Sequence, residues 1–174
     1  ARFKPTFWDD FPFVLDVIRD IERVAVTERA YYHFIRLRAE SETARWRPNM
    51  YEKREEEHGW MLDLYEHWGL AGDPASMEMV QRRYVERLVG CIENVCNPSC
   101  ELTDAEKRAH VEKMIGSERA QLAVSIAQPR SGMMKLMLVP IRRKDAGMAL
   151  AEGRFISFVK RHNTKLFATL KANR

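Results

Sequence analysis

Apolar residues recur at helical spacing through most of the first 127 positions and again near the end of the chain. A period near 3.6 gives each segment one dry stripe and one wet one, a pattern that a helix can bury and a strand cannot. The expected class is therefore all-α: an antiparallel helical bundle or stacked helix hairpins, with about four helices and short connections. At 174 residues the chain is long enough to bury a core without help from disulfides or metals.

Punctuation residues divide the pattern. Helix one is expected from Asp9 or Asp10 to near Glu40, with Pro12 in its first turn. Its stripe is Val14, Ile18, Ile21, Ala25, Tyr32 and Ile35, with Glu28 as the polar member beside the interhelical seam. Arg47-Pro48 breaks the chain. Helix two is expected to open at Asn49 with Glu52 in a capping-box-like start, to show Tyr51, Met61, Leu62, Tyr65 and Trp68, and to end at Gly69. Helix three follows Asp73-Pro74, carries Met77, Val80, Tyr84, Leu88, Cys91 and Val95, and stops at Asn97-Pro98. Helix four starts at the T-x-x-E box of Thr103 and Glu106 and presents Val111, Ile115, Leu122 and Ile126 as far as Pro129.

The rhythm fails from Pro129 to Gly147. Met133 to Pro140 is a short continuous apolar run, expected as an extended strap. A last helix is expected from about Ala149 to Leu170. It puts Phe155, Val159, His162, Leu166 and Leu170 on one face, with Arg154, Lys160, Arg161, Lys165 and Lys171 around it. Charge marks the same division: residues 1–127 carry 18 Lys and Arg against 23 Asp and Glu, and residues 128–174 carry 11 against 2. The expected organisation is a helical body over 1–127 with an aromatic N-terminal arm. A basic strap and helix over 128–174 docks on that body or on a partner.

Every apolar run is broken by charge well before the ~18 residues a membrane-spanning helix needs. The N-terminal Ala1-Arg-Phe-Lys-Pro has no apolar core of a signal peptide. The expected compartment is the mitochondrial matrix or the cytoplasm, not the secretory route. Cys91, Cys96 and Cys100 are odd in number and spaced C-x4-C-x3-C, which suits reduced thiols better than a disulfide framework or a zinc knuckle. A Cys96–Cys100 pair remains open in an oxidising compartment.

One pattern carries candidate chemistry. Glu55 and His58 form an E-x-x-H pair, which puts a carboxylate and an imidazole on one helix face. With Glu22 or Glu28 from helix one, this resembles the first half of a ferritin-like di-metal site, and the resemblance implies iron or manganese held also by Glu118. The second half departs from the pattern: helix four offers Glu118-x-x-Gln121, an amide where the second histidine belongs. Phosphate-loop, dinucleotide, nucleophile-elbow and zincin motifs are absent from the sequence.

These observations favour a non-catalytic helical subunit, adaptor or accessory protein of a larger assembly, with no cofactor. Its expected partner-binding residues are Phe3, Phe7 and Trp8 in the N-terminal arm and Phe155, Val159, Lys160, Arg161 and Leu166 in the last helix. The partners are other protein subunits. A basic arm equally suits an anionic membrane surface or RNA phosphates, the latter as in a ribosomal accessory protein, through Arg142, Arg143, Lys144, Lys160 and Arg161. The ferritin-like metal protein is the enzyme-class alternative.

Overall fold

The structure, a computed structural model, describes residues 10–29 and 45–162, apart from the side chains of residues 160 and 161. Its described secondary structure is all helical: α1 (Asp10–Ile18), α2 (Met50–His67), α3 (Pro74–Val95), α4 (Asp104–Gly116), α5 (Glu118–Ile126), α6 (Gly132–Arg143) and α7 (Ala146–His162). None of the helices is long and apolar enough to cross a membrane among the described residues.

The organising element is α3. Asp73 caps it by accepting from the Ser76 amide at 2.8 Å, and Pro74 opens its first turn at no hydrogen-bond cost. Two adjacent apolar rows run down it, Val80, Tyr84, Leu88, Cys91 and Val95 beside Val85, Val89 and Ile92, and all are buried. A surface that wide cannot be covered by one neighbour, and α2, α4, α5, α6 and α7 all pack against it. α1 lies on α2, where Phe11 stacks on Trp60. Asn94 pins the entry to α2, accepting from the Arg47 amide at 3.1 Å and donating to the Arg47 carbonyl at 2.9 Å.

Several elements differ from expectation. α1 ends at Ile18 rather than near Glu40; residues 19–29 are not helical, and 30–44 lie outside the described residues. Ile21 and Ala25, the members of the expected stripe in this segment, are exposed and meet no covering surface among the described residues, and the β-branched Val24 and Val26 beside them favour helix poorly. The chain turns instead where the Trp68 indole donates to the Arg19 carbonyl at 2.8 Å and His67 meets Asp20 at 2.7 Å. Glu28 is exposed on this segment, not in a seam. Asn49 precedes α2 but its side chain makes no cap hydrogen bond, so no capping box forms there, whereas Gly69 does take the left-handed conformation at φ 70°.

The Thr103–Glu106 box forms as expected, with the Thr103 amide donating to Glu106 at 2.8 Å. The helix it starts is interrupted, because Ser117 is extended (ψ 145°), ends α4 and caps α5 through the Ala120 amide. The break rotates α5 so that Ala120, Ala123 and Val124 face the core and Leu122 faces out. Gln121 bridges the joint, donating to the carbonyls of Ile115 at 2.6 Å and Ile141 at 2.9 Å.

The expected strap is a helix, α6. Pro140 inside it costs about 3 kcal/mol relative to a good helix former. Met134, Met137, Leu138 and Ile141 are all buried along one face, each contributing about 1.5–3 kcal/mol on burial, so packing outweighs propensity. Lys144, left-handed at φ 55°, closes α6 and turns the chain into α7. α7 packs on α3, α4 and α6, and its residues from Ala146 to Ile156 join those of α6 in the central apolar cluster.

α7 meets α3 at close range through Gly153. A Cβ there would stand 2.9 Å from the Cys96 Sγ, 3.1 Å from the Ile92 Cγ2 and 3.3 Å from the Ile92 carbonyl oxygen. The backbone carbonyl cannot swing aside, so the helices themselves must part. Gly153→Ala is therefore expected to lower stability by about 1–3 kcal/mol through overpacking, despite a helix-propensity gain of about 1 kcal/mol. Urea unfolding measures this, and a more stable variant would mean that α7 does not sit against α3 at this distance.

Candidate functional site

Charged side chains of α2 turn inward to meet α3 and α5. Glu57 is 4% exposed, and its carboxylate receives Arg54 from its own helix, the Arg83 Nη2 at 2.8 Å and the Arg87 Nε within ion-pair range at 3.5 Å. Burial by itself raises the Glu57 carboxyl, but Arg54, followed by Arg87 and Arg83, outweighs it and holds the group below the usual carboxylate range. A buried carboxylate so paired is costly to strip: removing one partner of a buried ion pair typically loses about 3–5 kcal/mol.

Two residues away, Glu55 accepts from the Tyr84 hydroxyl and from the Arg119 Nη1 at 2.9 Å, while Arg119 also reaches the Glu55 carbonyl at 3.0 Å. Burial and the Glu55 contact push the Tyr84 phenol well above its ordinary range. His58 lies against the Tyr84 ring, centroids 4.4 Å apart, is 4% exposed and has a buried Nε2 with no hydrogen-bond partner. Burial, then the Arg119 charge, lowers His58 to about 4, with Glu57 pulling the other way. The imidazole is neutral at pH 7.

The cavity lined by His58, Glu57, Tyr84 and the arginines 54, 83 and 87 holds about 10 Å³, space for no more than one water. A neighbouring open cleft of about 180 Å³ lies between Asp10, Phe11, Arg54, Glu57, Arg83 and Arg87. Neither approaches the ~300–1,000 Å³ usual for a small-molecule site.

The E-x-x-H pair is thus brought to the interior, but not toward further ligands. Glu22 and Glu28 are exposed on the non-helical segment after α1, and Glu118 is exposed in the first turn of α5. Glu55 is engaged by Tyr84 and Arg119. Among the described residues no three His, Cys, Asp or Glu side chains converge closely enough to hold a metal ion. The residues that sequence reasoning did not single out are Glu57, Arg83, Arg87 and Arg119; the available signal was their place beside the apolar rows of their helices. The three cysteines are free thiols, and burial raises Cys91 to about 12 and Cys96 to about 11.

The second site is the outward face of α7. Ala149, Leu150, Gly153, Ile156 and Val159 face the core, while Phe155 and Phe158 are 60% and 58% exposed. The stripe expected to join Phe155 to Val159 therefore splits, with Val159 packed inside. Phe158 stacks on His162 at 4.2 Å, extending the exposed ring surface toward the end of the helix. Phe3, Phe7, Trp8 and Leu166, and the side chains of Lys160 and Arg161, lie outside the described residues.

No protein-family model, curated protein or solved structure matches the chain.

Two measurements test this geometry. The His58 pKa of about 4 in the folded protein stands against about 6.5 in the unfolded chain, so the unfolded state binds more protons between those pH values. Its contribution to stability is full above pH 6.5 and falls by about 3 kcal/mol as pH drops to about 4. Urea unfolding at pH 7, 5.5 and 4 should show His58→Phe losing that much less than the wild type over the range; parallel losses would mean that the imidazole is not held neutral. Separately, elemental analysis of protein purified without chelator is expected to find no stoichiometric iron, manganese or zinc, and two metal ions per chain would restore the di-metal reading.

Proposed function

We propose that the chain is a non-catalytic helical subunit, an adaptor or accessory protein of a larger assembly in the cytoplasm or the mitochondrial matrix. It docks on a protein partner through the outward face of α7. The observation that carries this reading is that Phe155 and Phe158 are exposed on a helix whose opposite face is already in the core. Met148 and Ala151, both exposed, stand at the preceding helical intervals, so the aromatic pair belongs to a continuous stripe. Burying a large apolar side chain contributes about 1.5–3 kcal/mol, and aromatic anchors of this kind dominate interface energetics.

A protein groove suits this stripe better than phosphates do. The nearest described cation, Arg154, is already answered by Asp104 at 3.1 Å, so the stripe is not edged there by an open charge. Residues 128–174 are the basic part of the chain, and within them α7, which carries this face, packs on α3, α4 and α6. Leu166, Lys160 and Arg161 would extend the contact along the helix, and Phe3, Phe7 and Trp8 would form a second one. The absence of catalytic motifs and the small clefts around Glu57 and His58 favour docking over turnover.

The double variant Phe155→Glu/Phe158→Glu tests the proposal in protein isolated gently from its source. Substitutions at exposed positions are expected to change stability by less than about 1 kcal/mol while the co-purifying partner is lost. Wild-type retention should be nearly independent of salt, whereas phosphate contacts would release steeply as salt rises. Undiminished retention of the partner by the double variant would sink the proposal.

A further inference from the structure

We infer that the open cleft between the start of α1 and the facing sides of α2 and α3 is an anion site that takes a phosphate group, free or as a monoester. Three guanidiniums, Arg54, Arg83 and Arg87, line a space of about 180 Å³ together with Glu57, Asp10 and Phe11. That is several times the ~30 Å³ a water molecule occupies in the liquid, and enough for a four-oxygen anion. The two carboxylates leave the site net positive. Charge of one sign concentrated in a concave, partly dry space draws a counter-ion there.

Arg83 and Arg87 also have donors to spare. Glu57 is nearly enclosed and takes one nitrogen from each arginine, while the side chains of Arg83 and Arg87 remain 41% and 40% exposed. The Arg83 Nε is buried with no hydrogen-bond partner among the described residues, and the Arg87 Nε stands 3.5 Å from a Glu57 carboxylate oxygen. Each guanidinium offers five N–H donors in a planar fork, so one shared carboxylate cannot satisfy this set. The Arg83 guanidinium is held over the Phe11 ring, 5.5 Å from its centroid, which fixes its plane at the edge of the cleft. Burial, opposed by Glu57 and reinforced by repulsion from Arg54 and Arg83, makes the Arg87 proton easier to lose.

Phosphate rather than a single carboxylate fits because Glu57 already supplies one negative charge, and a dianion with outward-facing oxygens can engage Arg83 and Arg87 together. Glu57 acts as the internal competitor that spaces the arginines. The site is distinct from the α7 face and does not depend on the docking proposal.

The experiment titrates the full chain with inorganic phosphate at constant ionic strength, using calorimetry and thermal unfolding, with chloride as the control anion. A parallel titration uses phenyl phosphate. Saturable binding of phosphate and not of chloride is expected. Because the cleft is open, the monoester is expected to bind within about threefold of the free ion, and a preference of a hundredfold for the free ion would overturn the monoester arm. Arg83→Gln should weaken phosphate binding at least tenfold, and Glu57→Gln, which removes the competing carboxylate, should tighten it and enlarge the phosphate-induced rise in Tm. If Arg83→Gln fails to fold, the wild-type comparison of phosphate with chloride decides alone. Equal responses to the two anions, or undiminished binding by a folded Arg83→Gln, would overturn the site.

Discussion

The structure depends on the burial of α3. Its two apolar rows cover too much of the helix circumference for a single partner, so the lowest-free-energy arrangement surrounds it, and the other core helices take positions dictated by that surface. This explains the break at Ser117: one continuous helix from Thr103 would present Leu122 inward, whereas the joint lets α4 and α5 each lay their own small and branched residues on the core. It also explains why α6 forms despite Pro140, since helical geometry places Met134, Met137, Leu138 and Ile141 together on the side that the core leaves to be filled.

Against this apolar background the charges between α2 and α3 are the exception. Glu57 is tolerated inside because three guanidiniums compensate its desolvation, and Glu55 because Tyr84 and Arg119 occupy both its oxygens. His58 survives by remaining neutral. The pairing is asymmetric: among the described residues Glu55 meets one guanidinium, that of Arg119, whereas Glu57 meets three. The proposed anion site lies on the Glu57 side, where the three guanidiniums gather.

α7 carries two demands on one helix. Gly153 brings one side against the end of α3 with no room for a side chain, and the Cys96 thiol donates to the Leu150 carbonyl at 3.6 Å in the same contact. The other side carries aromatic rings into solvent. The fixed inner face gives those rings a rigid platform, which lowers the ordering cost of any partner that covers them.

The local signals in the sequence were sufficient for the helical class, for the Asp73-Pro74 and Thr103–Glu106 starts, for the Gly69 stop and for the first apolar row of α3, because each depends on groups within one turn of one another. The end of α1 was not legible: its stripe was periodic, but whether a stripe is buried depends on a surface elsewhere in the chain, and Ile21 and Ala25 found none among the described residues. The helicity of residues 132–143 was not legible because the apolar run of Met133 to Pro140 is short and continuous, with no helical period of its own, and burial against distant helices also outweighed the local penalty of Pro140. Glu55 and His58 could be placed on one helix face from their spacing alone, but their partners Tyr84 and Arg119 come from other helices. Tertiary packing alone decided which groups this face meets among the described residues, arginines and a phenol, because charge compensation is settled by what lies across the interface and not by what lies along the chain.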